Sequence, residues 1–251
     1  MALLVPILLA VVGVVVATQH DRLRWRLAGA IIGFAVVLGA AAQLTADVRG
    51  GGGSTRIDRP IADWVLDHRL TWLNPVVRSL TDFGGVAAMT ALTLAACAWF
   101  GWRRQWAPLL TTAAVGAGAA VIGSIMKSAI GRHRPPAIDQ LVVATNASYP
   151  SGHTLGSTAV AGVVAAMIAC SAGQRRSRVL AVPAAALFAL VIGVSRIYLG
   201  VHWTTDVLAG WAIGLTWLTL CLTPYLWWRS RLSSSRPARP ARSTAEPPRR
   251  R

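Results

Sequence analysis

The side chains of this sequence that could do chemistry fall into three short blocks, each at the end of an apolar stretch. They are Lys127 and Arg134-Pro135, then Pro150-Ser151-Gly152-His153, then Ser195-Arg196, His202 and Asp206. The set combines three cations, two imidazoles and one carboxylate. Cations around an anion, beside an imidazole that acts as nucleophile or acid, suit phosphate chemistry.

Lys127 is the one lysine among 25 basic residues. Lysine presents a compact ammonium with three rotatable donors, whereas arginine presents a planar fork. Because every other basic residue of the chain is arginine, this lysine at the end of an apolar stretch indicates a specific chemical role.

His202 and Asp206 are four residues apart. On a helix this spacing places both on one face, where the carboxylate can accept from imidazole Nδ1 and leave Nε2 free as a nucleophile. Taken alone, the pair is more typical of two polar residues at a membrane interface.

Pro150-Ser151-Gly152-His153 precedes a predicted helix, whose free N–H groups attract anions. Glycine permits close backbone approach, the Ser151 hydroxyl adds a donor, and His153 can protonate a leaving oxygen. The alternative is an ordinary Ser/Gly helix start with an incidental histidine.

Lys127, Arg134 and Arg196 are charges at predicted membrane depth, where charged groups are costly and tend to be functional. Three cations would stabilise the extra charge of five-coordinate phosphorus. The alternative for the arginines is contact with lipid headgroups, which the sequence favours for Arg132. A metal site of His153, His202 and Asp206 is a rival interpretation, but three neighbouring cations disfavour it, so no metal or other cofactor is expected.

The elements that must position these residues are membrane helices. The chain is 54% hydrophobic and 14% charged, with a mean hydropathy of +0.52, and a helix of about 20 apolar residues crosses a bilayer. Seven candidate spans are predicted: Ala2–Thr18, Leu27–Ala46, Gly85–Trp102, Ala107–Met126, Thr154–Ala172, Val179–Val194 (extended to Leu199) and Val207–Trp228.

The formal net charge of +16 follows the loops between these spans. Sixteen of the 25 basic residues lie in loops 22–26, 103–104 and 175–178 and in the tail from Arg229. These segments share one face, which the positive-inside rule makes cytoplasmic. The distribution of charge therefore indicates the topology of the chain in a lipid bilayer, which is its expected partner. It does not indicate nucleic-acid binding.

Four regions are predicted along the chain. Residues 1–46 form two transmembrane helices, and 47–84 form a non-cytoplasmic loop with an interfacial amphipathic helix. Residues 85–228 hold the core helices with the three blocks, and 229–251 form a disordered basic cytoplasmic tail. Because span directions alternate, Lys127, His153, Arg196 and Asp206 are all expected at the non-cytoplasmic face of an all-α bundle.

The three blocks, K-x6-R-P, P-S-G-H and S-R-x5-H-x3-D, resemble the type-2 phosphatidic acid phosphatase superfamily at every defining position. The resemblance covers about residues 58–228 and implies a six-helix core, with Ala2–Thr18 as an extra N-terminal span. It implies a phosphohistidine at His202 oriented by Asp206, and His153 as acid and then base. Lys127, Arg134, Ser151, Gly152 and Arg196 would hold the phosphate oxygens.

The expected protein is thus a metal-independent phosphatase that crosses the bacterial cell membrane several times. The resemblance implies a lipid phosphate or polyprenyl diphosphate as substrate, with undecaprenyl diphosphate, phosphatidic acid and phosphatidylglycerol phosphate as candidates. A lipid phosphotransferase and a non-catalytic lipid-phosphate binder or transporter remain the alternatives. The oligomeric state is left open.

Overall fold

A computed structural model of the chain describes residues 22–171 and 175–234. Its helices are α1 (Arg22–Gly50), α2 (Asp58–Asp67), α3 (Asn74–Asp82), α4 (Val86–Trp102), α5 (Trp106–Ile130), α6 (Gly152–Ser171), α7 (Arg175–Tyr198) and α8 (Thr204–Ser234). No strand occurs among these residues. The predicted all-α class is confirmed.

Six stretches in the described part of the chain are long and apolar enough to cross a membrane. They are Ala28–Gly50, Thr71–Trp102, Trp106–Ile130, Gly152–Ser171, Val179–Tyr198 and Thr204–Arg231. The protein is therefore a multi-pass membrane protein, and six of the seven predicted spans are recovered. The other one, Ala2–Thr18, lies outside the described residues.

Two predicted boundaries are wrong. Helix α8 continues to Ser234, so the tail predicted to be disordered from Arg229 begins with helical residues. Helix α1 continues to Gly50, so the predicted loop 47–84 also begins within a helix. Both errors have one cause, because a helix continues past the end of its apolar run and hydropathy marks only the apolar part.

The segment predicted as a loop with one interfacial helix contains two short helices, α2 and α3, joined by a 3-10 turn at Thr71–Leu73. Trp64 and Trp72 are exposed, as expected for aromatic residues at headgroup depth. Helix α2 packs on α7 and α8, and α3 packs on α7. This segment therefore covers one end of the bundle.

Close packing of α6 against α8 depends on two glycines. A Cβ added to Gly210 would lie 3.0 Å from the Ser151 carbonyl oxygen, and one added to Gly214 would lie 3.0 Å from that of Leu155. Small residues allow this approach between membrane helices. It places the start of α8 beside the start of α6.

Chain direction brings the three blocks to the same end of the bundle, called here the site end. Helix α5 finishes there because Gly131 adopts a left-handed φ of 61° and its N–H donates to the Lys127 carbonyl. Helices α6 and α8 begin there, and α7 ends there. The segment 131–151 crosses the site end and connects α5 to α6.

Candidate active site

His202 and Asp206 lie at the start of α8, but not both on it. His202 occupies the bend before Thr204, and Asp206 is in the first turn. The prediction that they share a helix face is therefore wrong. Their contact is nevertheless made, with Nδ1 3.3 Å from Asp206 Oδ2, because the carboxylate turns back to accept from the Trp203 N–H at 2.9 Å.

The neighbours of the His202 ring define its tautomer. The Arg134 Nη1 lies 3.2 Å from His202 Nε2. A guanidinium can only donate, so Nε2 carries the lone pair and Nδ1 carries the proton that faces Asp206. The nitrogen that is free to react therefore points towards a cation.

His202 is buried, with 3% exposure. Burial is the largest of the effects that lower the pKa of its imidazole to about 4; the positive charges of Arg134 and Arg196 also lower it, and Asp206 opposes them. The ring is therefore neutral at neutral pH, which is the state a nucleophile requires.

Arg134 and Lys127 are held by the same loop. Arg134 Nε donates to the Asn146 carbonyl at 2.8 Å, and its Nη2 donates to the Asn146 side-chain oxygen at 2.6 Å. Lys127 Nζ donates to the Ala147 carbonyl. Neutral carbonyl oxygens thus orient both cations, and neither forms an ion pair with a carboxylate of the described residues.

Arg196 is almost fully buried, and its Nη1 donates to Thr81 Oγ1 at 3.0 Å. Its Nε has no hydrogen-bond partner among the described residues. A buried, unpaired donor on a charged group is costly, and an anionic ligand would satisfy it.

The Pro150–His153 block forms the start of α6. The Ser151 N–H donates to the Asp206 carbonyl at 3.1 Å, and the buried Ser151 hydroxyl accepts from Thr154 Oγ1 at 2.9 Å. Gly152 faces Lys127, since a Cβ on this glycine would lie 3.8 Å from the lysine Cε. The start of α6 therefore lies beside the lysine side chain.

His153 is in the first turn of α6, next to Gly85, where an added Cβ would lie 3.5 Å from His153 Nε2. Its imidazole is within electrostatic range of Arg196, His202, Arg134 and Lys127. All eight predicted site residues thus lie at the site end, as the sequence predicts, while their chemical roles stay predictions.

Several residues at the site were not found from the sequence. Ser148 Oγ donates to Asp206 Oδ2. Asp58 of α2 accepts from Arg132, Thr81 of α3 accepts from Arg196, and both acceptors are buried. The interpretation of Arg132 as a headgroup-facing arginine is wrong, because its two Nη atoms bind Asp58 and Asp206 at 2.6 Å each. None of these residues belongs to a motif or a periodic pattern in the sequence, and Asp58 and Thr81 lie in a segment that hydropathy alone assigns to a surface loop.

A groove of about 510 Å³ leads from the site between α4, α5 and α6. Its walls are mostly small or apolar residues such as Gly116, Gly123 and Gly156, and Lys127 and Gly152 lie at its polar end. A groove that joins a cation to an apolar channel suits an amphiphile with an anionic headgroup.

Among residues 22–171 and 175–234, no three His, Cys, Asp or Glu side chains are grouped so that they could hold a metal ion. The groups present instead are a neutral imidazole beside a carboxylate and three cations. Together, fold and site define a multi-pass membrane protein with a cluster of cations and imidazoles at one end of its helix bundle.

Comparison with known proteins agrees with this class. The profile of the PAP2 superfamily matches residues 108–230. Phosphatidylglycerophosphatase B of Bacillus subtilis is 31% identical over 162 residues, which are 63% of this chain and 78% of the relative. Undecaprenyl-diphosphatase of Sulfolobus acidocaldarius is 31% identical over 106 residues, which are 40% of this chain and 47% of that protein.

A solved structure gives the same result. The crystal structure of a PAP2-type phosphatidylglycerolphosphate phosphatase from Bacillus subtilis superposes with a TM-score of 0.69 at 25% identity, covering 82% of this chain and 98% of that one. The chain belongs to the PAP2 superfamily of membrane phosphatases. It is a member of a family of phosphoric ester hydrolases, and the predicted resemblance is confirmed.

Proposed function

We propose that the protein is a metal-independent phosphatase that releases phosphate from a lipid phosphate or polyprenyl diphosphate. The reaction proceeds through a phosphohistidine on His202. One observation carries the proposal: His202 Nε2 holds a lone pair, and it lies 3.2 Å from Arg134, which acts together with Lys127 and Arg196 on the neighbouring His153. A nucleophile among cations needs an anionic electrophile.

In the first step His202 Nε2 attacks phosphorus while the bond to the leaving lipid oxygen breaks. His153 begins this step as the imidazolium, donates its proton to that oxygen and becomes neutral, so the lipid leaves as an alcohol or a monophosphate. Asp206 accepts from Nδ1 and stabilises the charge that develops on the ring. Arg134 must leave Nε2 and bind a phosphate oxygen when substrate arrives.

In the second step the neutral His153 takes a proton from water, and the water oxygen attacks phosphorus. The P–N bond breaks, inorganic phosphate leaves, and both imidazoles return to their starting states. Lys127, Arg134, Arg196, the Ser151 hydroxyl and the Gly152 N–H hold the phosphate oxygens. The unpaired Arg196 Nε gains its partner in this complex.

The groove between α4, α5 and α6 supports a lipid as substrate. Its apolar walls accept an acyl or prenyl chain from the bilayer while the headgroup reaches Lys127. The relatives' names cover a phosphatidylglycerophosphatase and an undecaprenyl-diphosphatase. Phosphatidylglycerol phosphate, phosphatidic acid and undecaprenyl diphosphate are therefore the substrates to test.

The proposed location is the cell membrane, with the site end on its non-cytoplasmic side. Arg103 and Arg104, between α4 and α5, lie at the opposite end of the bundle from His202. The positive-inside rule makes that arginine-bearing end cytoplasmic.

The test is phosphate release by purified protein from the three lipids, with His202→Ala and His153→Ala as variants. Both should lose about 10³-fold or more in kcat, because nucleophile and acid act in the bond-breaking step. His133→Ala is the matched control, since its side chain is exposed, and it should keep wild-type turnover. Full turnover in both site variants would exclude the mechanism. An added alcohol that takes up the phosphate would indicate a phosphotransferase.

A further inference from the structure

Arg132 is a buried arginine outside the three sequence blocks, and it joins two carboxylates. Its Nη2 lies 2.6 Å from Asp58 Oδ2, and its Nη1 lies 2.6 Å from Asp206 Oδ1. The side-chain exposures are 15% for Arg132, 5% for Asp58 and 0% for Asp206. Buried charges at these distances are held only when they are paired.

Asp58 connects this pair to the start of α8. Its Oδ1 accepts from the Thr205 N–H at 2.8 Å, and its Oδ2 accepts from the Thr205 hydroxyl at 2.7 Å. The Thr205 hydroxyl in turn accepts from Arg132 Nη1 at 2.7 Å. A carboxylate from α2 therefore caps the helix that carries Asp206, and it complements the positive end of the helix dipole.

We propose that Arg132 and Asp58 form a positioning pair that fixes the Asp206 carboxylate and limits its attraction for the His202 proton. Neither residue contacts the phosphate; both act through Asp206. The inference rests on the proposed function, in which His202 is the nucleophile.

The hydrogen bonds of Asp206 divide between its two oxygens. Oδ2 faces His202 Nδ1, the Ser148 hydroxyl and the Trp203 N–H. Oδ1 accepts from Arg132, which lies between the membrane spans. Burial disfavours the charge of Arg132, but the two carboxylates Asp206 and Asp58 raise the pKa of the guanidinium. A carboxylate whose second oxygen is paired with a cation holds the imidazolium less strongly, so the ring stays neutral.

Other groups also act on the His202 ring. Arg134 and Ser148 face it from the segment 131–151, and Arg196 acts from α7. His153 on α6 interacts electrostatically with His202, and Lys127 of α5 acts on His153. Except for Ser148, these groups are cationic or can become so, and they oppose protonation of His202. Without Arg132, the Asp206 charge is no longer offset and protonation of the ring becomes easier.

The experiment compares Arg132→Met, Arg132→Lys, Asp58→Asn and the double variant with wild type. For each, kcat and KM for a dispersed phosphatidic acid are measured from pH 4.5 to 8. The variant value of kcat/KM is divided by the wild-type value at each pH, because the ionisation of the substrate then cancels. A merely structural effect lowers this ratio equally at all pH values.

We expect Arg132→Met to lower kcat at pH 7 by roughly 10- to 100-fold with little change in KM. The ratio should fall further as pH decreases, because protonated His202 cannot attack. Arg132→Lys keeps the positive charge, so its kcat should fall less, and its kcat/KM relative to wild type should not change with pH. Asp58→Asn leaves Arg132 paired with Asp206 alone, so its ratio should not fall at low pH.

The double variant Arg132→Met/Asp58→Asn should regain about tenfold in kcat over Arg132→Met alone, since it no longer buries an unpaired carboxylate beside Asp206. Arg59 and Asp63 are the matched control, an exposed ion pair at 3.2 Å on the same helix. Arg59→Met, Asp63→Asn and their combination should stay within about twofold of wild type and be additive.

A ratio for Arg132→Met that is independent of pH, or kcat values that are additive in the double variant, would overturn the positioning pair. If Arg132→Met does not fold, Arg132→Lys and Asp58→Asn decide: wild-type kcat in both overturns the pair, and a loss in kcat at unchanged KM supports it. Failure of the proposed function has a different signature, because wild type itself would then release no phosphate.

Discussion

At the scale of single residues, the state of the His202 ring depends on its two neighbours. Arg134 can only donate, so it leaves the lone pair on Nε2, and Asp206 receives the Nδ1 proton. Burial keeps the ring neutral. In the proposed mechanism, this state leaves Nε2 able to attack phosphorus.

The pH dependence of stability tests this account. The folded-state pKa of His202 is about 4, below the model-peptide value of 6.5. As the pH falls, the unfolded chain therefore takes up this proton before the folded chain does. Above pH 6.5 the group does not lower the free energy of unfolding. The penalty grows as pH falls from 6.5 to 4, to on the order of 3 kcal/mol.

We expect the thermal midpoint in detergent to fall more steeply between pH 7 and 4.5 for wild type than for His202→Asn, which has no titrating group there. His133→Asn, with its side chain exposed, should follow the wild-type curve. Parallel curves for wild type and His202→Asn would mean that the buried ring is not the group that titrates.

At the scale of elements, small residues form the groove along α5 and α6. Gly123 lines the groove, and a Cβ there would have no heavy atom within 4 Å. By contrast, a Cβ on Gly118 would lie 2.2 Å from the Trp217 ring. The two glycines on α5 thus serve different purposes, because Gly118 permits helix packing and Gly123 leaves space for a ligand.

Gly123→Leu should fill part of the groove without displacing a helix. We expect kcat/KM for a long-chain phosphatidic acid to fall about tenfold, as clashes of this size cost about 1–3 kcal/mol. A dihexanoyl substrate, whose chains are too short to reach Gly123, should be hydrolysed at the wild-type rate. Gly33→Leu on α1 is the control, since Gly33 also has open space around it but lies outside the groove. Equal losses for both substrates would show that the lipid chain binds elsewhere.

At the scale of the whole molecule, the site lies at one end of the bundle and the arginine-rich connections lie at the other. Ile138 is 91% exposed in the segment that crosses the site end. Gln105 is exposed between α4 and α5, at the opposite end. These two positions can therefore report which side of the membrane each end faces.

The test uses Ile138→Cys and Gln105→Cys, each in a background where Cys97, Cys170 and Cys221 are replaced by alanine. A membrane-impermeant maleimide added to intact spheroplasts should label Ile138→Cys and leave Gln105→Cys unlabelled until the membrane is permeabilised. The reverse pattern would place the site end in the cytoplasm and contradict the proposed orientation.

The sequence by itself determined the class, the spans in the described residues and the end of the bundle at which the eight predicted site residues lie. Each of these depends on local information: about 20 apolar residues mark a span, and Lys127, His153 and His202 sit at fixed distances from helix ends. The sequence could not find Asp58, which is 148 residues from Asp206, because a buried ion pair leaves no periodic pattern.

Only the tertiary structure decided how the residues meet. In the structure, His202 lies in a bend before α8 and still contacts Asp206. Arg132 pairs with two buried carboxylates and not with lipid headgroups, and the predicted loop contains the helices α2 and α3. These features depend on side chains that are distant in sequence and become neighbours when the helices pack. Hydropathy and spacing describe each segment separately, whereas a buried charge is stable only with the partner that another segment provides.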